Sequence, residues 1–339
     1  MGYINYYSKH AVRHYGWLPA SKNFQKKYKK KKIKYFTLCD IDAIDIFMFE
    51  KEGILLRNRN KFLEDVVICE SDEEKVQKIF ESVRPPLINA IFQEKIQTLL
   101  NFKDDKQTQG LDLNDPKSDQ VNRNIRKKLL LKDKALRLQN LFPFDIINFD
   151  AYDNIFYPDR SIFKAIEKIF EFQKDINNFL LFLNTPIDKI PPDMEVMFKN
   201  DFKSNLSSHP EIEKVSLQVL YTNDFEQIQN IMQKISIGLG KSIVAKQAKK
   251  YNWKTFHHGI YIYENDQNRK LLSAVVEVTK SRDAEDASWY IDDVINIIQT
   301  MPTDYYSYQD SINNKEIVKD LEEIIDYRNK IQREYENVS

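Results

Sequence analysis

The chain has 339 residues, and its 51 basic and 51 acidic side chains balance. This balance argues against a global field that would draw the protein to nucleic acid or to a membrane surface, and no run approaches the ~18 apolar residues of a membrane span. The two cysteines, Cys39 and Cys69, are too few for a disulfide framework and have no metal-ligand cluster beside them. Since the first residues also lack a signal-peptide core, we expect a cytoplasmic protein without metal or membrane.

The first 32 residues combine aromatic side chains with a basic run. Basic segments with interleaved aromatic rings can bind the phosphates of RNA or DNA and stack on its bases. The alternative is a solvated helix end or a mobile arm. The residues that would contact nucleic acid are Lys26, Lys27, Lys29, Lys30, Lys31 and Lys32.

Residues 33–100 are predicted to contain three strand–helix units. Ser71 and Glu74 form an S-x-x-E capping box, which makes the helix after the second strand the clearest of the three. Gly53 is expected to lie just past the end of the first helix. The predicted strands cover residues 33–38, 65–70 and 89–93, and the predicted helices cover 41–52, 71–84 and 94–100.

The remainder of the chain is predicted to add two more units and an antiparallel hairpin. The polar stretch 103–124 is poor in aliphatic residues and is expected to be a flexible insertion, and 191–250 is expected to be a helical insertion. Turn-forming residues at 265–270 connect two strands closely enough for a hairpin. The predicted strands cover 144–149, 178–183, 259–264 and 272–278, and the predicted helices cover 125–139, 161–172, 283–300 and 315–337.

This alternation of strands and helices is typical of a parallel sheet with helices on both faces. We therefore predict an α/β fold: a Rossmann-like, seven-stranded, mostly parallel sheet that ends in an antiparallel hairpin. The sheet domain is expected to span 33–280, between a basic and aromatic arm at 1–32 and a helical extension at 281–339. The N- and C-terminal helices outside the sheet are the expected contact surfaces for protein partners.

Polar residues follow the first three predicted strands, where open α/β sheets bind their ligands. Glu70 ends the second strand, at the position where an acid hydrogen-bonds ribose hydroxyls in dinucleotide-binding folds. Alternatively, its charge favours the start of the next helix. The first strand–helix turn contains no glycine, so a close approach of its backbone to a cofactor is costly. The candidate cofactor contacts are Cys39, Asp40, Asp42, Glu70 and Glu94.

Two other patterns point less clearly to chemistry. Gly238–Ser242 resembles the end of a phosphate-binding P-loop, but the first glycine of that motif is absent, which disfavours a nucleotide hydrolase. His257 and His258 sit next to a predicted strand, where adjacent residues point to opposite faces, so they are not expected to bind one metal together. His10 and His14 could share one helical face, but a metal site needs further ligands.

The stretch from Phe144 to Asp153 reads FDIINFDAYD, a buried strand that ends in polar and aromatic side chains. It is similar to the F-D-x-I-D-L-D-P-F-G motif of the tRNA guanine N2,N2-dimethyltransferases, and it resembles the D/N-P-P-Y motif of amino-methyltransferases. Ala151 replaces the proline of the first motif, and Asp153 replaces its glycine. With the strand order, the acid that ends strand two and the hairpin after strand five, residues 33–280 resemble a class I S-adenosylmethionine-dependent methyltransferase.

The resemblance implies S-adenosylmethionine as the cofactor and a nucleic-acid base amine as the target. In such families the acid or amide of the motif accepts hydrogen bonds from the target amine, and the aromatic ring stacks on the base. The matched residues are Asp150 for the acid and Tyr152 for the ring, with Asn148 beside them. The alternative is a catalytically inactive methyltransferase fold that serves as a binding or assembly subunit, which Ala151 and the glycine-free first turn favour.

Overall fold

The structure is a computed structural model. It describes residues 7–58, 63–83, 91–103, 123–150, 161–187, 250–281 and 304–336, together with positions 244, 247 and 248. The chain divides into two compact units. The first unit comprises Met1–Ala20, Asp150–Arg160 and Leu181–Leu321, and the second comprises Ser21–Phe149, Ser161–Leu180 and Glu322–Ser339.

The described strands form one mixed sheet that is mostly parallel and has antiparallel strands at one end. Their order is β3-β2-β1-β4-β5-β7-β6-β8. The predicted α/β fold is confirmed at this level, but the predicted count of seven strands is wrong, because a short strand after residue 300 adds an eighth. The strands are β1 Tyr35–Thr37, β2 Val66–Glu70, β3 Ile91–Gln93, β4 Ile146–Asp150, β5 Asn178–Pro186, β6 Trp253–Glu264, β7 Lys270–Lys280 and β8 Asp304–Tyr306.

Strand β1 is flanked by two parallel neighbours in the second unit. Tyr35 is in register with Val66 of β2 and with Ile146 of β4, and β2 pairs in parallel with β3. Every residue from Ile146 to Phe149 is buried. This near-continuous burial is expected of parallel strands that are covered on both faces.

Helices occupy most of the remaining described residues. The helix predicted at 161–172 begins and ends where expected, because its apolar residues recur at helical spacing. The helices are α1 Tyr7–Val12, α2 Leu18–Lys27, α3 Ile44–Lys51, α4 Glu73–Ser82, α5 Ile96–Leu100, α6 Arg123–Leu141, α7 Ser161–Phe172, α8 Tyr308–Asn313 and α9 Lys315–Glu336.

Helix α4 is capped one residue later than the capping box predicted. Asp72 is the N-cap, and its side chain accepts a hydrogen bond from the Lys75 amide at 3.0 Å. Ser71 lies in the preceding turn, where its amide donates to the Glu70 carboxylate. The predicted cap at Ser71 is therefore wrong, although the helix itself is confirmed.

Helix α3 ends in the way that Gly53 predicted. Gly53 has a φ of 70°, and its amide donates to the Glu50 carbonyl at 3.0 Å, while the Ile54 amide donates to the Phe49 carbonyl at 2.8 Å. These two bonds form a Schellman motif, in which glycine is preferred at the left-handed position.

Residues 7–20 of the first unit are helical. A π-helical turn, Arg13–Trp17, connects α1 to α2. Trp17 is completely buried; its indole N–H donates to the Ser273 hydroxyl at 3.0 Å, and its ring stacks on Phe182 at a centroid distance of 4.8 Å. The buried tryptophan thus packs this turn against β5 and β7.

Strands β6 and β7 form the predicted antiparallel hairpin and are longer than expected. Their pairing runs from Trp253 opposite Lys280 to Glu264 opposite Lys270. Strand β8, which was not predicted, pairs in parallel with β6. The expected insertions at 103–124 and 191–250 and the helix at 283–300 lie almost entirely outside the described residues. None of the helices in the described ranges is long and apolar enough to cross a membrane.

Candidate functional site

A buried polar cluster lies at the carboxyl ends of β1 and β4 in the second unit. Asp45, in the first turn of α3, is completely buried. Its Oδ2 accepts hydrogen bonds from the Tyr35 hydroxyl at 2.6 Å and from the Thr37 hydroxyl at 2.7 Å. Burial and the neighbouring Asp45 carboxylate raise the pKa of Tyr35 well above its usual value. Within the described residues, Asp45 Oδ1 is buried and has no hydrogen-bond partner.

Asn148, a predicted catalytic residue, belongs to this cluster. Its buried side-chain amide donates to Thr37 Oγ1 at 3.0 Å and lies 3.5 Å from Asp45 Oδ2. Thr37 and Asn148 are the last paired residues of β1 and β4. In a sheet of this order, the switch point lies between these two strands, and ligands bind outside their carboxyl ends. A buried carboxylate oxygen without a protein partner is uncommon, and an ordered water or another donor group usually accounts for it.

The turn between β1 and α3 adopts a left-handed conformation without a glycine. Ala43, the N-cap of α3, has φ 49° and ψ 36°, and its amide donates to the Asp40 carbonyl at 2.8 Å. This conformation costs a residue with a Cβ about 1 kcal/mol. The turn therefore follows the path that glycine would take more easily, and it keeps Asp40 half-buried beside the end of β1.

Cys39 and Asp42 were also predicted to contact a cofactor, but their described surroundings are other groups of the protein. Cys39 is buried. The carboxylate of Asp42 accepts a hydrogen bond from Arg328 Nη1 at 2.8 Å, and the Arg328 side chain is only 8% exposed. Asp42 thus connects the first turn to α9, and a ligand would have to compete with a largely buried guanidinium for it.

The carboxylate of Glu70 is fixed by the turn that follows β2. Its Oε1 accepts hydrogen bonds from the amides of Ser71 at 2.7 Å and of Asp72 at 2.9 Å. Within the described residues, its Oε2 has no hydrogen-bond partner. One oxygen of Glu70 therefore stabilises the approach to α4, whereas its contact with a cofactor ribose stays a prediction.

Glu94 lies next to Glu70 at the end of β3. The Glu94 amide donates to the Glu70 carbonyl at 3.0 Å, and the Glu94 carboxylate accepts from the Lys95 amide at 3.0 Å. The Cys69 thiol donates to the Glu94 carbonyl with a sulfur–oxygen distance of 3.0 Å. Burial raises the pKa of the Cys69 thiol, so this sulfur stays protonated at neutral pH and offers no nucleophile.

Asp150, the last residue of β4, is paired with a lysine of α1, and both residues belong to the first unit. Lys9 Nζ of α1 lies 2.5 Å from Asp150 Oδ2, and the two side chains are 12% and 17% exposed. A charge-assisted hydrogen bond of this kind holds the carboxylate in one orientation. Tyr152, the predicted stacking residue, lies outside the described residues, as does Gly238–Ser242.

The basic run lies at the opposite ends of the strands from Glu70. Lys30 Nζ is 2.7 Å from Asp145, which precedes β4, and Lys32 Nζ is 3.6 Å from Asp65, which precedes β2. Because β1, β2 and β4 are parallel, these pairs lie at the amino edge of the sheet. The remaining predicted nucleic-acid contacts are exposed on the surface: Lys26, Lys27, Lys29 and Lys31.

The predicted histidine pair lies on the N-terminal helices. His10 Nε2 and His14 Nδ1 lie 3.0 and 2.9 Å from Asp320 Oδ2 of α9. Burial lowers the pKa of His10, and the hydrogen bond to Asp320 raises it. The effect of burial is larger, so the pKa of His10 lies below its usual value. In the described part of the chain, no three His, Cys, Asp or Glu side chains are arranged to hold a metal ion.

Sequence reasoning missed Asp45, Lys9 and Arg328. The last two act on residues 141 and 286 positions away, and no local pattern indicates such pairings. Asp45 did leave a signal, because it is the one acid among the apolar residues that open α3, IDIFMF. An acid on the buried part of a short helix indicates a buried hydrogen-bond network.

No protein-family model, curated protein or solved structure matches this chain.

Proposed function

We propose that the chain is an S-adenosylmethionine-dependent methyltransferase-like protein that binds this cofactor at the carboxyl ends of β1 and β2 and acts on a nucleic-acid base amine. The carboxylate of Glu70 carries the proposal. Two backbone amides hold its Oε1, while its Oε2 has no partner among the described residues. An acceptor fixed in this way loses little freedom when it binds a ribose hydroxyl, so binding costs less conformational entropy.

The strand order supports the same proposal. The part β3-β2-β1-β4-β5 matches the doubly wound order in which nucleotides bind at the switch point, and the hairpin of β6 and β7 agrees with what the resemblance implies. Asp45 Oδ1 is a second acceptor at this edge that lacks a partner within the described residues. The position of Glu70 Oε2 thus suits a ligand that is rich in hydroxyl donors.

In the proposal, Glu70 would hold the ribose of S-adenosylmethionine, and the bound cofactor would supply an activated methyl group. The target amine would take up this methyl carbon as its bond to sulfur breaks, and the amine would give up a proton to solvent. Such a step depends mainly on holding the amine in line with that bond. In the proposal, Asp150 orients the amine, Tyr152 stacks on the base, and Asn148 supports the end of β4 through Thr37.

Calorimetric titration of the purified protein with S-adenosylmethionine and with its demethylated product tests this proposal. We expect saturable binding that weakens about tenfold in Glu70→Gln, since the loss of a hydrogen bond to a charged group costs about 1.5 kcal/mol. Glu73→Gln is the matched control, because Glu73 is an exposed acid in the first turn of α4. The absence of heat with either ligand at high protein concentration would contradict the proposal.

The ion pair of Lys9 with Asp150 favours a second candidate function, a catalytically inactive binding or assembly subunit. A target amine would have to displace or share the lysine that occupies Asp150. Cofactor binding without transfer of a labelled methyl group to RNA or DNA would support this alternative. Transfer that is abolished by Asp150→Asn, with cofactor affinity unchanged, would support the enzyme.

A further inference from the structure

Helix α6 carries a local excess of positive charge in a chain whose total charge is zero. Its 19 residues include seven basic side chains and one acid, Asp133. On a helix with about 100° between successive residues, Arg126, Lys127, Lys134 and Arg137 fall within an arc of about 100°. These four residues therefore form one face of α6, which we call the basic face.

Two residues of the basic face meet the end of β3. Lys134 Nζ donates to the carbonyl of Gln93, the last residue of β3, at 3.0 Å. The Arg137 guanidinium lies 5.8 Å from the ring centroid of Phe92, one residue earlier. The later residue of α6 thus contacts the earlier residue of β3, so the helix runs antiparallel to the strand.

The start of α6 consequently extends past the carboxyl end of β3. Arg126 precedes Lys134 by eight residues, a rise of about 12 Å along the helix axis. Arg126 and Lys127 are exposed and lie on the same face as Lys134. They therefore project beyond the carboxyl edge, where Glu70 and Glu94 lie, whereas the lysine run at 26–32 lies at the amino edge.

We propose that the basic face of α6 is a nucleic-acid interface that binds the phosphate backbone of the strand presented to the carboxyl edge. Closely spaced phosphates match a row of lysines and arginines on a rigid helix, and release of condensed counterions supplies the binding energy. The identity of this edge as the active one rests on the proposed function. Phosphate binding by α6 does not require the cofactor and is tested without it.

An anionic membrane surface fits the helix less well. Membrane-bound basic helices carry a continuous apolar stripe beside their charges. The exposed leucines of α6, Leu130 and Leu136, are six residues apart and so point about 120° away from each other. They form no stripe, and the charged residues account for most of the exposed face.

Fluorescence anisotropy with a labelled single-stranded RNA and a labelled DNA duplex, each of about 20 nucleotides, tests the inference without cofactor. The test variant is Arg126→Glu with Lys127→Glu, and the matched control is Lys26→Glu with Lys29→Glu, which changes the charge equally at the amino edge. We expect the α6 variant to bind about tenfold more weakly and to reduce the salt dependence of binding to RNA by a slope of about 1.4, for two contacts. The control should bind as the wild type does.

A second variant guards against misfolding. Arg126→Gln with Lys127→Gln avoids charge reversal and should retain the wild-type circular dichroism spectrum. It should still show at least about half of the reduction in salt slope that is expected for the Glu variant. Equal losses in the α6 and amino-edge variants, a loss in the amino-edge variant alone, or no nucleic-acid binding by the wild type would overturn the inference. Binding only to vesicles that contain phosphatidylserine would overturn it as well.

Discussion

The amino and carboxyl edges of the parallel strands in the second unit both carry carboxylates, but these differ in how completely their oxygens are hydrogen-bonded. At the amino edge, Asp145 accepts the Lys34 amide at 2.9 Å and pairs with Lys30 at 2.7 Å. At the carboxyl edge, Glu70 and Asp45 each keep one oxygen without a partner among the described residues. Charges at the amino edge thus fix the positions of the strands, whereas the carboxyl edge is the edge at which we propose ligand binding.

The largest expected change in the free energy of unfolding comes from the buried cluster at the carboxyl edge. Asp45→Ala removes the acceptor of two buried hydroxyls, and we expect the free energy of unfolding to fall by about 3 kcal/mol, since hydrogen bonds to charged groups contribute about 1.5 kcal/mol or more each. Urea unfolding followed by circular dichroism measures this change. A loss below about 0.5 kcal/mol would show that the cluster does not support this edge.

A smaller effect is expected at the amino edge. Asp145→Ala removes a backbone hydrogen bond and a half-buried ion pair, and should lower the free energy of unfolding by about 2 kcal/mol. Asp65→Ala is the matched control with an expected loss below about 0.5 kcal/mol, because its partner Lys32 is 64% exposed. Neither variant should change the affinity for S-adenosylmethionine in calorimetry. A tenfold weaker affinity in Asp145→Ala would contradict the assignment of roles to the two edges.

Local patterns predicted much of the second unit. The apolar run before Asn148 predicted β4, helical spacing predicted α7, and Gly53 marked the end of α3, because each depends on residues close in sequence. The partners of Asp42 and Asp150 could not be predicted, because packing brings them together from distant parts of the chain. The placement of the lysine run at the amino edge also depends on long-range pairs, with Asp145 and Asp65.

Glycine substitution at two residues with left-handed backbone conformation compares the edges through a smaller change in the free energy of unfolding. Ala43 at the carboxyl edge and Lys29 near the amino edge have φ 49° and 51°. Ala43→Gly and Lys29→Gly should each raise the free energy of unfolding by about 0.5–1 kcal/mol, since glycine adopts this conformation without steric strain. Thermal or urea unfolding measures both. A loss of stability in either variant would show that the residue's side chain contributes more than its backbone strain costs.

A pH series should show a smaller effect that originates in the first unit. His10 has a lowered pKa in the folded protein because it is buried, so below about pH 6.5 the unfolded chain binds a proton that the folded chain does not. Stability should therefore fall as the pH is lowered from 7.5 to 5.5 (about one unit on either side of that value), and it should fall less in His10→Gln. Melting temperatures across this range provide the measurement. An equal decline in both proteins would assign the effect to other groups.

Hydrogen exchange with and without S-adenosylmethionine tests most directly which edge binds the ligand. We predict slower amide exchange on ligand addition at residues 38–45 and 70–75, which follow β1 and β2, and unchanged exchange at residues 28–34, which precede β1. Protection at 28–34 without protection at the carboxyl edge, or no protection anywhere at saturating ligand, would contradict the account.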